Sequence, residues 1–201
     1  MAVFKIAENK RAYDINKRIC SYPGKEDLWN ILSYADNKKR EIALNNLYNI
    51  GIESICNQFL YLQNRRVKPL NTRALHYILS FDSKGYERDI DYKMMTSIMC
   101  MIPIQCFNEY QCVEFLHTDK PTHYHIHIIV NPVNINTFHV YKDSFITTGN
   151  NLAYWLGMMY DIPVQSFTYR NQFGNIVRGN ETGSYLYQDK FMKKYNIKKL
   201  V

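Results

Sequence analysis

The chain has no C-x-x-C pair. Its five cysteines, Cys20, Cys56, Cys100, Cys106 and Cys112, are odd in number and scattered. That pattern argues against a disulfide framework and against a thiolate zinc knuckle. No secretory-type apolar segment precedes them, so they are expected to be reduced thiols of a cytoplasmic protein. No apolar run approaches the roughly 18 residues that a membrane span requires. There is no internal repeat and no low-complexity tract, so neither a repeat array nor a compositionally disordered segment is expected.

What is present is an adequate core and an excess of cations. Hydrophobic residues make up 46% of the 201 residues, which fits one domain over 1–201. Residues 184–201 carry Lys190, Lys193, Lys194, Lys198 and Lys199 and read as a basic helical tail, or as an arm that tracks a nucleic-acid strand. Lys plus Arg exceed Asp plus Glu by 25 to 18, a formal charge of +7, which suits a polyanionic partner. The 17 tyrosines serve equally as core, as stacking platforms or as nucleophiles.

The most informative stretch is 117–131, HTDKPTHYHIHIIVN, which holds four of the six histidines. Side chains alternate across a strand, so His123, His125 and His127 share one face. Tyr124, Ile126, Ile128 and Val130 share the other, which is apolar and fit for a core. Several imidazoles buried without partners would each cost a few kcal/mol. A divalent cation offsets that cost, and neutral imidazole is the commonest side-chain metal ligand. His117 and Asp119 stand just upstream across a Pro turn and can join the group.

Other segments order the chain. Ala2–Ile6 alternates as a short strand. Ile15, Ile19 and Tyr22 follow helical spacing up to Pro23-Gly24. Residues 38–48 carry a roughly helical pattern with Gly51 as its C-cap, and 53–63 repeat it. Residues 64–73 hold Arg65, Arg66, Lys68 and Arg73, either a solvated loop or a phosphate contact. Residues 74–82, ALHYILSFD, alternate as a strand with His76 and Ser80 on its polar face. Residues 89–102 form a helix with a methionine-rich buried stripe, ended by Pro103. Residues 111–117 form a strand paired with the histidine strand, and 136–141 continue the sheet. Residues 148–160 form a helix capped by Thr147 or Thr148. Residues 164–169 and 175–178 form a hairpin around Phe173-Gly174.

The His-hydrophobic-His pair, preceded by a third histidine and followed by N-P-V-N, resembles the metal motif of the HUH endonucleases. More narrowly it resembles the MobP-like conjugative relaxases, or mobilisation nuclease domains. The resemblance implies an α/β fold: an antiparallel sheet of about five strands, the site on one face and helices packed on the other. It implies that His117, His125 and His127 hold one divalent ion, Mg²⁺ or Mn²⁺ in the family. An all-imidazole set also suits Ni²⁺ or Zn²⁺. Asp119 is then expected to orient a ligand histidine.

The segment ICSYPGKED resembles the relaxase N-terminal motif and makes Tyr22 the expected nucleophile, with Tyr34 and Tyr13 as alternatives. The H-x-x-x-S-F segment brings His76 and Ser80 toward the DNA, with Arg65, Arg66, Lys68 and Arg73 as phosphate contacts. The implied activity is nicking and rejoining of one DNA strand at an origin of transfer through a 5′-phosphotyrosyl intermediate. The implied setting is conjugation or mobilisation of a plasmid or integrative element. Implied partners are single-stranded or hairpin DNA, accessory relaxosome proteins and a coupling protein. Two other readings stay open. Rolling-circle replication initiators and single-tyrosine HUH transposases place the nucleophile after the histidines, where Tyr141, Tyr154, Tyr160 and Tyr169 lie. A non-catalytic DNA-binding metal domain is the second, although structural zinc sites usually include thiolates and no cysteine follows Cys112.

Overall fold

The computed structural model of the chain describes residues 2–6, 13–14, 19–20, 25–37, 39–48, 51–82, 91–120, 123–143, 145–160, 162, 164, 168–170 and 176–178. The centre is a long hairpin of β6 (Tyr110–Lys120) and β7 (His123–Asn134). Around it a five-stranded antiparallel sheet forms in the order β1-β5-β7-β6-β4. Here β1 is Ala2–Ile6, β4 is Lys39–Asn45 and β5 is Leu75–Asp82. The antiparallel α/β sheet of about five strands that the resemblance implies is therefore the one observed.

The hydrophobic pattern fixes the register. His117 pairs with His125, Phe115 with His127 and Val113 with Ile129 across the central hairpin. On the other side of β7, Ile78 pairs with His127 and Ser80 with His125. Opposed residues share a face, so one face of the sheet carries the histidines and the other Ile126, Ile128 and Val130. Against the latter pack α3 (Tyr92–Cys106) and α4 (Phe145–Tyr160), through Met95, Ile98, Met99, Ile102, Leu152 and Leu156.

The cover is not confined to that face. Helices α1 (Lys25–Asp36) and α2 (Ile52–Asn64) lay Leu28, Ile31, Leu32, Ile55 and Phe59 against Val113, Phe115 and Ile129. Each such aliphatic or aromatic side chain contributes about 1.5–3 kcal/mol on full burial. Polar residues tie this second layer down. Asn131 donates to the Phe59 carbonyl at 3.2 Å and to Gln111 Oε1 at 2.7 Å. Its own oxygen accepts from Gln63 at 3.1 Å and from the Val133 N–H at 3.2 Å. All four hydrogen-bonding positions of the amide are thus used inside the core.

Several expected elements differ. The helix over residues 15–22 is displaced: Tyr13–Asp14 and Ile19–Cys20 form a small antiparallel pair, β2 and β3, and the helix is α1, further along. Aromatic and β-branched residues such as Tyr13 and Ile19 favour the extended backbone. Residues 39–48 are not helical; Ile42 and Leu44 share one face of β4, with Glu41 and Ala43 on the other, a period of two. Gly51 is the N-cap of α2, not a preceding C-cap. Pro103 lies inside α3, which runs on to Cys106 and closes with the Phe107 N–H on the Pro103 carbonyl at 2.8 Å. Thr148 is an interior, buried residue of α4, its hydroxyl 2.8 Å from that of Tyr141. Beyond Asn134 the chain turns, and the sheet resumes only as a Val133–Val140 bridge. Strands β8 (Thr168–Arg170) and β9 (Ile176–Arg178) form the late hairpin. The tail over 184–201 and the turn at Phe173-Gly174 lie outside the described residues.

Glu114 on β6 points into the apolar layer under α3, is 0% exposed, and neither carboxyl oxygen has a hydrogen-bond partner among the described residues. Burial pushes its pKa well above the usual 4.5. A raised folded-state value means that stability is fullest below the unfolded pKa and falls as pH rises toward the folded one. Glu114→Met, which removes the buried carboxyl at similar volume, is expected to stabilise the fold by about 1–3 kcal/mol at neutral pH. It should also flatten the loss of stability above about pH 4.5, read by urea unfolding across pH.

Candidate metal centre

Three side chains converge because of the register just described. His117 ends the regular pairing of β6, opposite His125, and His127 follows two residues along β7. The ring centroids of His117 lie 4.8 Å from His125 and 4.6 Å from His127, and those of His125 and His127 are 5.1 Å apart. One nitrogen from each falls within 4.8 Å of the others. No second such group of His, Cys, Asp or Glu occurs among the described residues. His117 and His127 are buried and His125 is half-buried, so the open side of the cluster is at His125.

Outer contacts orient two of the rings. His117 Nε2 lies 2.6 Å from the Ala35 carbonyl. A carbonyl only accepts, so Nε2 carries the proton and the Nδ1 lone pair is left for a ligand role. Nδ1 of His127 lies 2.9 Å from Nε2 of His76. Burial lowers the His76 pKa to about 3, so His76 stays neutral and can accept the His127 proton, which turns the Nε2 lone pair of His127 toward the cluster. Three neutral imidazoles with available lone pairs fit one divalent ion, with positions left over for oxygen ligands.

Helix α1 completes the site. Its last turn supplies the Ala35 carbonyl, and the preceding residue, Tyr34, sets its ring edge-on to His127 with centroids 5.6 Å apart. Tyr34 is 65% exposed. Its hydroxyl-bearing ring therefore stands beside the histidines and is open to solvent.

The other expected site residues fall as follows. Tyr22 lies outside the described residues, and the side chains of Tyr13, Asp119 and His123 lie outside the description. Ser80 is half-buried on the histidine face, opposite His125. His76, expected as a DNA contact, is 3% exposed and lies against His127. Arg65 and Lys68 are exposed and Arg66 and Arg73 half-buried, but they precede β5 at the level of Val130. At about 3.3 Å per residue that is on the order of 15 Å from the histidines. Tyr141 and Tyr160 pack with the α3–α4 layer, and Tyr154 belongs to α4, so the sheet separates all three from the histidine face. Burial also raises the Tyr141 pKa further above the ordinary phenol value. The side chain of Tyr169 is outside the description.

A five-stranded antiparallel sheet with three clustered imidazoles on its central hairpin and a tyrosine at the adjoining helix end has the layout of an HUH-type nuclease. The family described as relaxase, MobA/VirD2-like nuclease domain, matches residues 27–155. That match covers more than half of the chain, from within α1 to within α4, and the chain belongs to this family. Membership carries a DNA-nicking role in general terms. Compared with curated proteins and with solved structures, the chain matches none. No described helix is long and apolar enough to cross a membrane.

Supporting groups behind a metal ligand typically matter about 10–100-fold in affinity. His76→Phe keeps a buried ring and removes the acceptor, so Mn²⁺ or Ni²⁺ affinity measured by calorimetry should fall by about that factor. His127→Ala should abolish the binding isotherm.

Proposed function

We propose that the chain nicks and rejoins one strand of DNA at an origin of transfer, in conjugation or mobilisation of a plasmid or integrative element. The observation that carries this reading is the juxtaposition of an exposed tyrosine, Tyr34, with three clustered imidazoles. We assign His117, His125 and His127 as the ligands of a divalent ion, Mg²⁺ or Mn²⁺ by family, with Ni²⁺ or Zn²⁺ also compatible with the donor set. When bound, such an ion neutralises charge on the non-bridging oxygens of the scissile phosphate.

The remaining chemistry belongs to the chain. The Tyr34 oxygen attacks phosphorus, a phosphotyrosyl P–O bond forms, and the bond to the 3′ oxygen breaks, leaving a free 3′-hydroxyl. A phenol ionises near pH 10, so its proton must pass to a base or to water as the bond forms. The ester retains the bond energy, so a 3′-hydroxyl can reverse the step and rejoin the strand. His76 holds the His127 ring and the Ala35 carbonyl holds the His117 ring, so little reorganisation is needed on binding. Asp119, two residues beyond His117, is assigned to the remaining outer position, orienting His125. Ser80 is assigned to the phosphate side of the site. Single-stranded or hairpin DNA is the substrate, and accessory relaxosome proteins and a coupling protein are the expected partners.

Tyr34 is the candidate tyrosine whose described ring stands beside the imidazoles, and Tyr22 and Tyr13 remain candidates for the same role. The burial of Tyr141 and Tyr160 against the opposite layer weighs against the initiator and transposase readings. The exposed tyrosine beside the imidazoles likewise weighs against a purely structural metal domain.

Tyr34→Phe deletes only the attacking oxygen. It should retain single-stranded DNA binding and lose the covalent adduct on labelled DNA, whereas Tyr22→Phe should keep it. An adduct mapped to a Tyr22 peptide would transfer the role. His125→Ala and His127→Ala should each abolish nicking, as should excess chelator. Full activity in chelator would remove the metal from the reaction.

A further inference from the structure

The end of the sheet far from the histidines carries a second built surface. Helix α2 and the turn at 135–137 face each other across a groove of about 960 Å³. Its lining includes Tyr48, Asn57, Gln58, Tyr61, Leu62 and Gln111, amides set in a mainly apolar surface to which two tyrosine rings belong. Tyr48 is 96% and Tyr61 68% exposed. Arg65 closes one end, its guanidinium carbon 5.1 Å from the Phe138 ring centroid and 6.0 Å from that of Tyr61.

Phe138 is held in the left-handed region at φ 56°, an uncommon state for a bulky residue that clusters at ligand clamps. Arg66 donates to its carbonyl, and its N–H donates to the Asn134 carbonyl at 3.0 Å. The strained turn thus presents a ring to Arg65. Exposed Lys68 and half-buried Arg73 belong to the same loop. Glu53 lines the groove from the first turn of α2, and the cations stand outside the lining, with Arg65 beside Tyr61.

We propose that this groove binds an unpaired stretch of the DNA strand whose scissile phosphate sits at the histidines. The proposal rests on the relaxase reading and adds to it a second contact. Bases stack on Tyr61 and Tyr48, amide side chains face base edges, and phosphates meet Arg65, Lys68 and Arg73. Stacking on aromatic rings combined with cations along the backbone is how unpaired strands are bound without strict sequence preference. From His127 to Ile135 the distance along the chain is about 25 Å at roughly 3.3 Å per residue. A stacked strand advances about 3.4 Å per phosphate, so the groove takes nucleotides about seven positions from the nick.

The test uses the whole chain and two sets of single-stranded oligonucleotides, extending about four and about twelve nucleotides from the mapped nick, either side of that span. Wild type should bind one long form about tenfold more tightly than its short counterpart, the scale of one stacked base. The double variant Tyr48→Ala, Tyr61→Ala, checked for an unchanged far-ultraviolet spectrum, should lose that length advantage and nick the short form at the wild-type rate. A variant that keeps the advantage, or a wild type that has none, overturns the groove assignment while leaving the relaxase reading standing. So does loss of a protein partner's binding in the variant with the advantage intact. Failure to nick either oligonucleotide, with histidine-dependent metal binding intact, overturns the relaxase reading and the groove assignment with it.

Discussion

Everything in this site depends on the pairing of His117 with His125. Strand side chains alternate with a period of two, so a slip of one residue in the central hairpin would carry His125 and His127 into the apolar layer and bring Ile126 and Ile128 out. The cost of that exchange is set on both faces at once. Ile126, Ile128 and Val130 are locked under α3 and α4, while Asn131 is saturated by Phe59, Gln63, Gln111 and Val133. The polar end of β7 thus acts as a stop. It fixes where the strand begins to count, and the imidazoles several residues earlier inherit their position from it.

Helix α1 links an exposed tyrosine to the histidine cluster. Ala35 gives its carbonyl to His117, and Tyr34, one residue earlier, stands against His127. A single helical turn therefore touches two of the three clustered rings. Its attachment comes from Leu28, Ile31, Leu32 and Ala35, all buried against the second layer. The ring of a solvent-facing tyrosine is positioned by the buried side of the same helix, which is why a core substitution in α1 would be felt at the histidine cluster without touching it.

Much of this was legible in the sequence. Alternation from His123 to Val130 gave the strand, its buried face and the imidazole face, and the adjoining His117 gave the third ring. The Met-rich helix and the strand carrying His76 were equally plain, because their periodicities are long and uninterrupted. The misreadings have specific causes. Residues 39–45 alternate too briefly among charged residues to distinguish a period of two from a helical one. The spacing of Leu28, Ile31, Leu32 and Ala35 is helical, but the Pro23-Gly24 pair drew attention to the residues before it, and α1 begins after it, at Lys25. His76 illustrates the limit of pattern reading. Its face was correctly inferred, yet that face is half-buried at Ser80 and interior at His76, and only the packing of neighbouring elements decides between them.

Two described residues other than glycine adopt positive φ, Asn46 and Phe138, and the contrast between them separates folding from function. Asparagine tolerates that backbone, and Asn46 uses its amide to bond the Asn108 and Tyr110 carbonyls at 2.9 and 3.0 Å, so the turn is locally self-consistent. Phenylalanine gains nothing comparable from its own conformation, which costs on the order of 1–3 kcal/mol. A chain optimised for thermal endurance alone would carry glycine or asparagine at that turn. Stabilising substitutions collected by heat selection would therefore be expected to accumulate there first, and each one would exchange a ring 5.1 Å from the Arg65 guanidinium for a more durable turn.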